Sequence, residues 1–323
     1  MENKPLISII LTCYNLEHYI GDAIMSLLNQ DFNRPYEIIV IDDASSDGSA
    51  QVIKAMEDDR LVKVFFPVNK GAAEAINHGF LIAKGIYICR FDGDDKWYPG
   101  YLKTMAALLD ENPDVGIVHS DCTLINSAGE ITQLRGNVNR PKELPAKCNE
   151  FRYLVKSYYM NAPTMMIRRE AWDCALPWQE RFRTGMGDWY NSLLMTTKYD
   201  SFYVNEPMAY YRVHATNMHR AYIKDRTGET NAGYVLGYFY KNRNDAFKEQ
   251  EWRQIFSSWY KDLGLAYFNH SMATDARRCF RKALSYNKTL ITNAEFVRFF
   301  FAAFIGKGRY DKLKSVFKKG GAS

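Results

Sequence analysis

The chain has 323 residues, 47% hydrophobic and 15% aromatic, which is enough to bury a large core in two units and too apolar for a disordered segment. Its net charge of +5 is modest, and the six cysteines, Cys13, Cys89, Cys122, Cys148, Cys174 and Cys279, include no Cys-x-x-Cys pair. That scatter argues against structural zinc and a disulfide framework and fits a reducing cytoplasm.

The segment after Met1-Glu2-Asn3-Lys4-Pro5, Ile7-Ser8-Ile9-Ile10-Leu11, reads as a first strand rather than a signal peptide, and it ends in Thr12-Cys13-Tyr14-Asn15. A helical pattern over 17–29 follows. Next, Glu37-Ile38-Ile39-Val40-Ile41 is a β-branched buried run ending in Asp42-Asp43-Ala44-Ser45-Ser46-Asp47-Gly48. Helices are expected over 49–58, 72–83 (bracketed by Gly71 and Gly85) and 101–111, with Pro99 at the entry of the last, and strands over 62–66, 86–91 and 116–119. Such alternation predicts an α/β fold with a largely parallel sheet. Beyond Ser120, Ser127-Ala128-Gly129-Glu130 reads as a hairpin turn, and residues 135–147, with two prolines, read as a mobile loop facing an acceptor. No stretch approaches the run of about 20 apolar residues that spans a bilayer.

The strand at 86–91 runs into Arg90-Phe91-Asp92-Gly93-Asp94-Asp95, three carboxylates at a carboxyl end, where an open α/β sheet has its ligand crevice. Asp92 and Asp94, two apart, can face one ion; hard cations such as Mn²⁺ or Mg²⁺ take oxygen ligands and are commonly shared with substrate phosphates. Alone, Asp-Gly-Asp would be a solvated turn. Here the acidic pair Asp42-Asp43 and the polar end of the first strand share the same edge, which together suits a nucleoside diphosphate. Asp42-Asp43-Ala44-Ser45 lacks the spacing of a phosphatase nucleophile and acid.

Four segments, residues 7–15, Ile41-Asp42-Asp43-Ala44-Ser45-Ser46-Asp47-Gly48, residues 69–85 and Phe91-Asp92-Gly93-Asp94-Asp95, resemble the family 2 inverting glycosyltransferases of the glycosyltransferase A fold. The resemblance covers roughly residues 5–217. It implies that Thr12, Tyr14 and Asp43 contact base and ribose, that Asn15 and Gly71 belong to the same nucleotide-sugar site, that Asp92 contacts ribose and metal, and that Asp94 holds the metal. In Gly185-Met186-Gly187-Asp188-Trp189, it implies that Asp188 is the general base for an acceptor hydroxyl. Gly187 stands where the family usually has Glu. Tyr210-Tyr211-Arg212-Val213-His214 makes His214 a further candidate metal ligand, with Arg212 a weaker one. Read from the residues alone, Asp188 could be an N-cap, Tyr14 a core aromatic and Thr12 a strand filler.

The same resemblance implies inversion without a covalent intermediate and a donor with UDP as the usual base. The acceptor would be a glycan or lipid-linked hydroxyl in surface polysaccharide synthesis. A Gln-x-x-Arg-Trp signature of processive members is absent, which favours one sugar per encounter. Two other classes fit parts of the pattern. A nucleotide-sugar-binding protein without transferase activity would lack a working base. A sugar-nucleotide pyrophosphorylase would carry a Gly-rich basic loop where Cys13-Tyr14-Asn15-Leu16-Glu17 stands.

The catalytic unit is expected over 1–217 and a helical region over 218–323, with helices over 234–240, 252–268, 274–284 and 294–305. Leu263, Gly264, Tyr267, Ala276, Phe280 and Ala283 fall at the offsets of one tetratricopeptide unit, with Tyr260 and Lys288 in place of the usual Trp and Pro. A single unit of that kind is expected to pack on the catalytic domain rather than form a peptide-binding array. From Arg298 to Ser323 seven basic residues, Arg298, Lys307, Arg309, Lys312, Lys314, Lys318 and Lys319, face one acid, Asp311. Beside Phe299-Phe300-Phe301 and Phe304, this reads either as a solvated basic tail or as a peripheral contact with the inner face of the cell membrane. No base-reading motif accompanies it, so nucleic acid is not expected.

Overall fold

The computed structural model describes residues 4–136, 139–182, 185–214 and 221–312, and the chain forms two compact units, Met1–Asn217 and Met218–Ser323.

In the first unit, β1 (Ile7–Cys13), β2 (Tyr36–Asp42), β3 (Leu61–Phe65) and β4 (Tyr87–Asp92) pair in parallel. They belong to a ten-stranded sheet with β5 (Lys96–Trp97), β6 (Val115–Ile125), β7 (Ile131–Gln133), β8 (Lys147–Cys148), β9 (Met165–Arg168) and β10 (Asp200–Arg212), the main path running β3-β2-β1-β4-β9-β6-β10-β5. The sheet is mixed rather than wholly parallel, because β9 enters antiparallel between β4 and β6. β1 and β2 are almost wholly buried, which is why their sequences are continuous apolar runs. Ile7, Ile9 and Leu11 share a core cluster with residues of α1 (Ile20–Leu28) and α4 (Tyr101–Glu111). The opposite face, through Ile10 and Ile41, meets Gly79 of α3 (Ala72–Ile82), where a side chain would run into both isoleucines. α2 (Ser49–Ala55) follows β2.

The expected elements are present with shifted ends. α1 starts at Ile20 rather than residue 17, because Tyr19 and Ile20 fold back on the Leu16 carbonyl first. β6 is eleven residues long, well beyond the expected 116–119. Its second half carries Ser120, Asp121 and Thr123, buried polar residues that break the apolar run without breaking the strand; Asp121 accepts from the amides of Cys122 (2.8 Å) and Gly136 (3.0 Å). The hairpin turn is formed, with Gly129 at φ 84°. In the segment expected to be a mobile loop, residues 137–138 lie outside the described residues, but Arg140 is pinned: it is buried, donates to Glu150 at 2.7 Å and lies 4.2 Å over the Tyr203 ring. α5 (Phe151–Leu154), α6 (Arg169–Asp173) and α7 (Gly187–Thr196) complete the unit.

The second unit is helical: α8 (Ala221–Lys224), α9 (Thr227–Asn242), α10 (Glu249–Asn269), α11 (Ala273–Tyr286) and α12 (Ala294–Ile305). α10, α11 and α12 close one core around Tyr267, Phe268, Ala276, Phe280, Phe296 and Ala303. Gly264 lets α10 approach α11, since a Cβ there would lie 2.6 Å from the Phe280 ring. Lys314, Lys318 and Lys319 of the basic tail lie outside the described residues. No described helix is long and apolar enough to cross a membrane.

Candidate active site

The register of β1 places Cys13 beside Asp42 of β2 and Thr12 beside Asp92 of β4, so three adjacent parallel strands deliver side chains at one edge. Thr12 stands beside Asp92 in register, and its carbonyl accepts from the Gly93 amide at 3.0 Å, which fixes the turn carrying Asp94 and Asp95. Asn15, at φ 55°, knits the ends of β1 and β2: its amide donates to the Ser45 hydroxyl (2.9 Å) and its Oδ1 accepts from the Ser46 amide (2.8 Å). Asp43 is buried and accepts from the amides of Lys70 (2.7 Å) and Gly71 (2.8 Å), one per oxygen. Its carboxylate thereby shapes the loop entering α3, where Gly71 takes φ 87°, a conformation suited to glycine. Tyr14 is half exposed and is not the core aromatic that its sequence position also allowed.

Asp188 lies in the first turn of α7, but it is not the cap. Met186 holds that position at φ 68°, with no side-chain cap bond. The Asp188 carboxylate instead meets Arg90 of β4, whose Nη1 lies 3.1 Å from Oδ1 and 3.0 Å from Oδ2, while Nη2 donates to Asp92 Oδ1 at 2.7 Å. Arg90 is buried, and its guanidinium lies 5.4 Å from the Trp178 ring. On the other side, His214 Nε2 and Asp94 Oδ2 are 2.9 Å apart, and the His214 ring lies against Tyr19. Arg212 locks this edge: its amide donates to Asp95 Oδ1 (2.8 Å), its Nε to the Asp94 carbonyl (2.8 Å) and its Nη1 to the carbonyls of Asn126 and Ser127.

The cleft gathers four carboxylates. Burial pushes the Asp92 carboxyl up to about 6 against the pull of Arg90, with Asp94 and Asp188 adding to the rise. Burial, then Asp94 and Asp92, put Asp95 well above the carboxylate range. The Tyr211 hydroxyl is raised by burial and then by Asp95, Asp92, Asp94 and Asp188, so one phenol senses all four carboxylates. Arg90 is raised in spite of its burial, by Asp188 and Asp92. A cleft lined by carboxylate oxygens has the donor type that a hard divalent cation takes. Among the described residues no three His, Cys, Asp or Glu side chains converge on one point.

The structure brings Asp92, Asp94, Asp188 and His214 together around Arg90 and Arg212, with Thr12 beside Asp92 in register, and sets Asn15, Asp43 and Gly71 in the adjoining loops. Sequence reasoning gave Arg90 no role, although a charged residue inside the strand Tyr-Ile-Cys-Arg-Phe-Asp is costly unless paired. It also passed over Trp178, which explains Gly187. A Cβ at position 187 would overlap the Trp178 indole, and Asn77 holds Trp178 in place through both its amide (2.7 Å) and its carbonyl (2.9 Å). Cysteine nucleophiles are disfavoured: burial pushes the Cys13, Cys122 and Cys279 thiols up to about 12.

A family model described as glycosyl transferase family 2 matches residues 8–173, just over half of the chain. The chain belongs to glycosyl transferase family 2. This family 2 glycosyltransferase is 29% identical over 212 residues to the putative teichuronic acid biosynthesis glycosyltransferase TuaG of Bacillus subtilis, 65% of this chain and 80% of that protein. It is 35% identical over 109 residues to the putative colanic acid biosynthesis glycosyl transferase WcaA of Escherichia coli, 33% of this chain and 39% of that one. The fold is similar to that of S. aureus TarS 1-349 in complex with UDP, with a TM-score of 0.54 at 16% identity over 89% of this chain and 91% of that one.

Because the indole fills the space beside Gly187, restoring the family's acid there should destabilise the protein. Gly187→Glu is expected to lower unfolding stability by about 1–3 kcal/mol in urea titrations, the usual range for overpacking; a stability gain, as for a helical glycine in open space, would show that Trp178 does not occupy that volume.

Proposed function

We propose that this glycosyltransferase moves a single sugar from a nucleotide-sugar donor, with UDP as the nucleotide, to a hydroxyl of a glycan or lipid-linked acceptor in the synthesis of a surface polysaccharide. The names of the TuaG and WcaA relatives support the polysaccharide setting, and the UDP bound to the structural neighbour supports the donor. The observation that carries the reading is the Asp188 carboxylate. It is held by Arg90 beside Asp92 and is not used as a cap, yet a quarter of its side chain stays open to solvent.

In this reading Thr12, Tyr14, Asn15, Asp43 and Gly71 receive the nucleoside, with Asp92 at the ribose. Asp94, Asp92 and His214 do not converge on one point as they stand, so Mn²⁺ or Mg²⁺ would be held by part of this set together with the donor's diphosphate oxygens. When bound, that ion offsets the negative charge that grows on the leaving diphosphate. Asp188 takes the proton of the acceptor hydroxyl, which attacks the anomeric carbon opposite the departing diphosphate and inverts it. No covalent intermediate forms, in keeping with thiols raised by burial.

The second unit supports a peripheral membrane contact. Phe301, Phe304 and Ile305 of α12 are exposed, Arg277 and Arg281 lie within 6 Å of the Phe304 ring, and Arg298 stacks on Phe299 at 4.7 Å. Aromatic and cationic groups in that mixture suit the headgroup region of an anionic leaflet, where a lipid-linked acceptor would be met.

The donor site is tested by thermal unfolding with UDP, GDP or dTDP, with and without Mn²⁺. A ligand at about a hundred times its Kd adds about 2.7 kcal/mol and raises Tm by a few degrees. UDP with Mn²⁺ should do so, the shift should vanish in Asp94→Ala, and Asp188→Asn should keep it while losing sugar transfer; no shift with any nucleotide would sink the donor-site reading. For the membrane contact, the full chain should sediment with anionic vesicles and not with phosphatidylcholine vesicles, and Phe301→Ser/Phe304→Ser should abolish this; equal behaviour with both lipids would remove that part.

A further inference from the structure

Arg90 is 5% exposed in an otherwise apolar stretch of β4. Forming the strand does not require a cation there. Its two terminal nitrogens engage two carboxylates from opposite sides of the proposed reaction: Nη2 holds Asp92, on the donor side, at 2.7 Å, and Nη1 holds both oxygens of Asp188, on the acceptor side, at 3.1 and 3.0 Å. The planar fork makes this bridge possible, since the compact ammonium of a lysine could not reach both partners in fixed geometry. Trp178, with its backbone clamped by Asn77, covers one guanidinium face and keeps the group from swinging out.

We propose that Arg90 is the resident counter-cation of the cleft, a positioning residue that holds Asp92 and Asp188 together and keeps the cleft's affinity for a divalent ion low until the donor's diphosphate is present. This rests on the metal reading given above. A fixed unit charge a few ångströms from Asp92 opposes a second cation, and at the effective permittivity of a protein cleft that opposition corresponds to about a tenfold to hundredfold change in affinity. The diphosphate restores the negative charge that Arg90 has cancelled. Ion and nucleotide then each bind better in the other's presence, a coupling that is reciprocal by linkage.

The test is calorimetric titration of Mn²⁺ into the full chain, with and without UDP, for the wild type, Arg90→Gln, Asp188→Asn and the double variant Arg90→Gln/Asp188→Asn. The wild type should bind Mn²⁺ weakly alone and more tightly with UDP. Arg90→Gln should bind Mn²⁺ alone about tenfold or more tightly than the wild type, with a smaller further gain from UDP. Should the single variant fail to fold, the double variant removes a charge pair together and leaves two neutral amides, and it should show the same tightening relative to Asp188→Asn. Mn²⁺ binding by the wild type with UDP, but no gain on removing Arg90 in either background, overturns the inference and leaves the metal reading intact. No Mn²⁺ binding by any form, with or without UDP, overturns both.

Discussion

Four carboxylates, Asp92, Asp94, Asp95 and Asp188, gather near the partly buried Tyr211, and the fold has to match that charge without filling the cleft. It does so by assigning partners with different reach. Arg90 bonds two carboxylates from below, His214 meets Asp94, and the Arg212 amide binds Asp95 while its side chain ties down the turn that carries the acids. Burial, more than the neighbouring charges, leaves the Asp92 and Asp95 carboxyls raised.

Rigid strands set this geometry. β1, β2 and β4 are neighbours in parallel register, so Thr12 and Asp92 stand side by side, and Asp42 follows beside Cys13, without any loop having to choose its conformation. The loops are then fastened to one another: Asn15 to Ser45 and Ser46, Asp43 to Lys70 and Gly71. Asp188 comes from a different part of the chain and is brought into register by one side chain, Arg90. Asp92 and Asp188 therefore share a single guanidinium.

The strands that build the site were legible because each is a continuous apolar run ending abruptly in polar residues, the mark of burial on both faces. β6 was underestimated for the converse reason: its second half is buried but polar, and Asp121 finds its partners locally, one of them fifteen residues away. Among the site residues, Asp92 and Asp94 could be read from their spacing, while Asp188 and His214 entered only through family resemblance. The Arg90–Asp188 bridge spans 98 positions in sequence and the Asp94–His214 contact spans 120, so no local pattern announces either. Gly187 looked like a lost acid; packing shows it as the space that Trp178 fills.

The most direct test of this account is a crystal structure of the full chain with UDP and Mn²⁺, using the anomalous signal of manganese to place the ion. The account predicts a single peak between Asp94 and the diphosphate, the uracil and ribose lying along Thr12, Tyr14 and Asp43, and Asp188 still on Arg90 with its outer edge facing the open cleft. A nucleotide seated elsewhere, or a manganese peak away from Asp92 and Asp94, would contradict it.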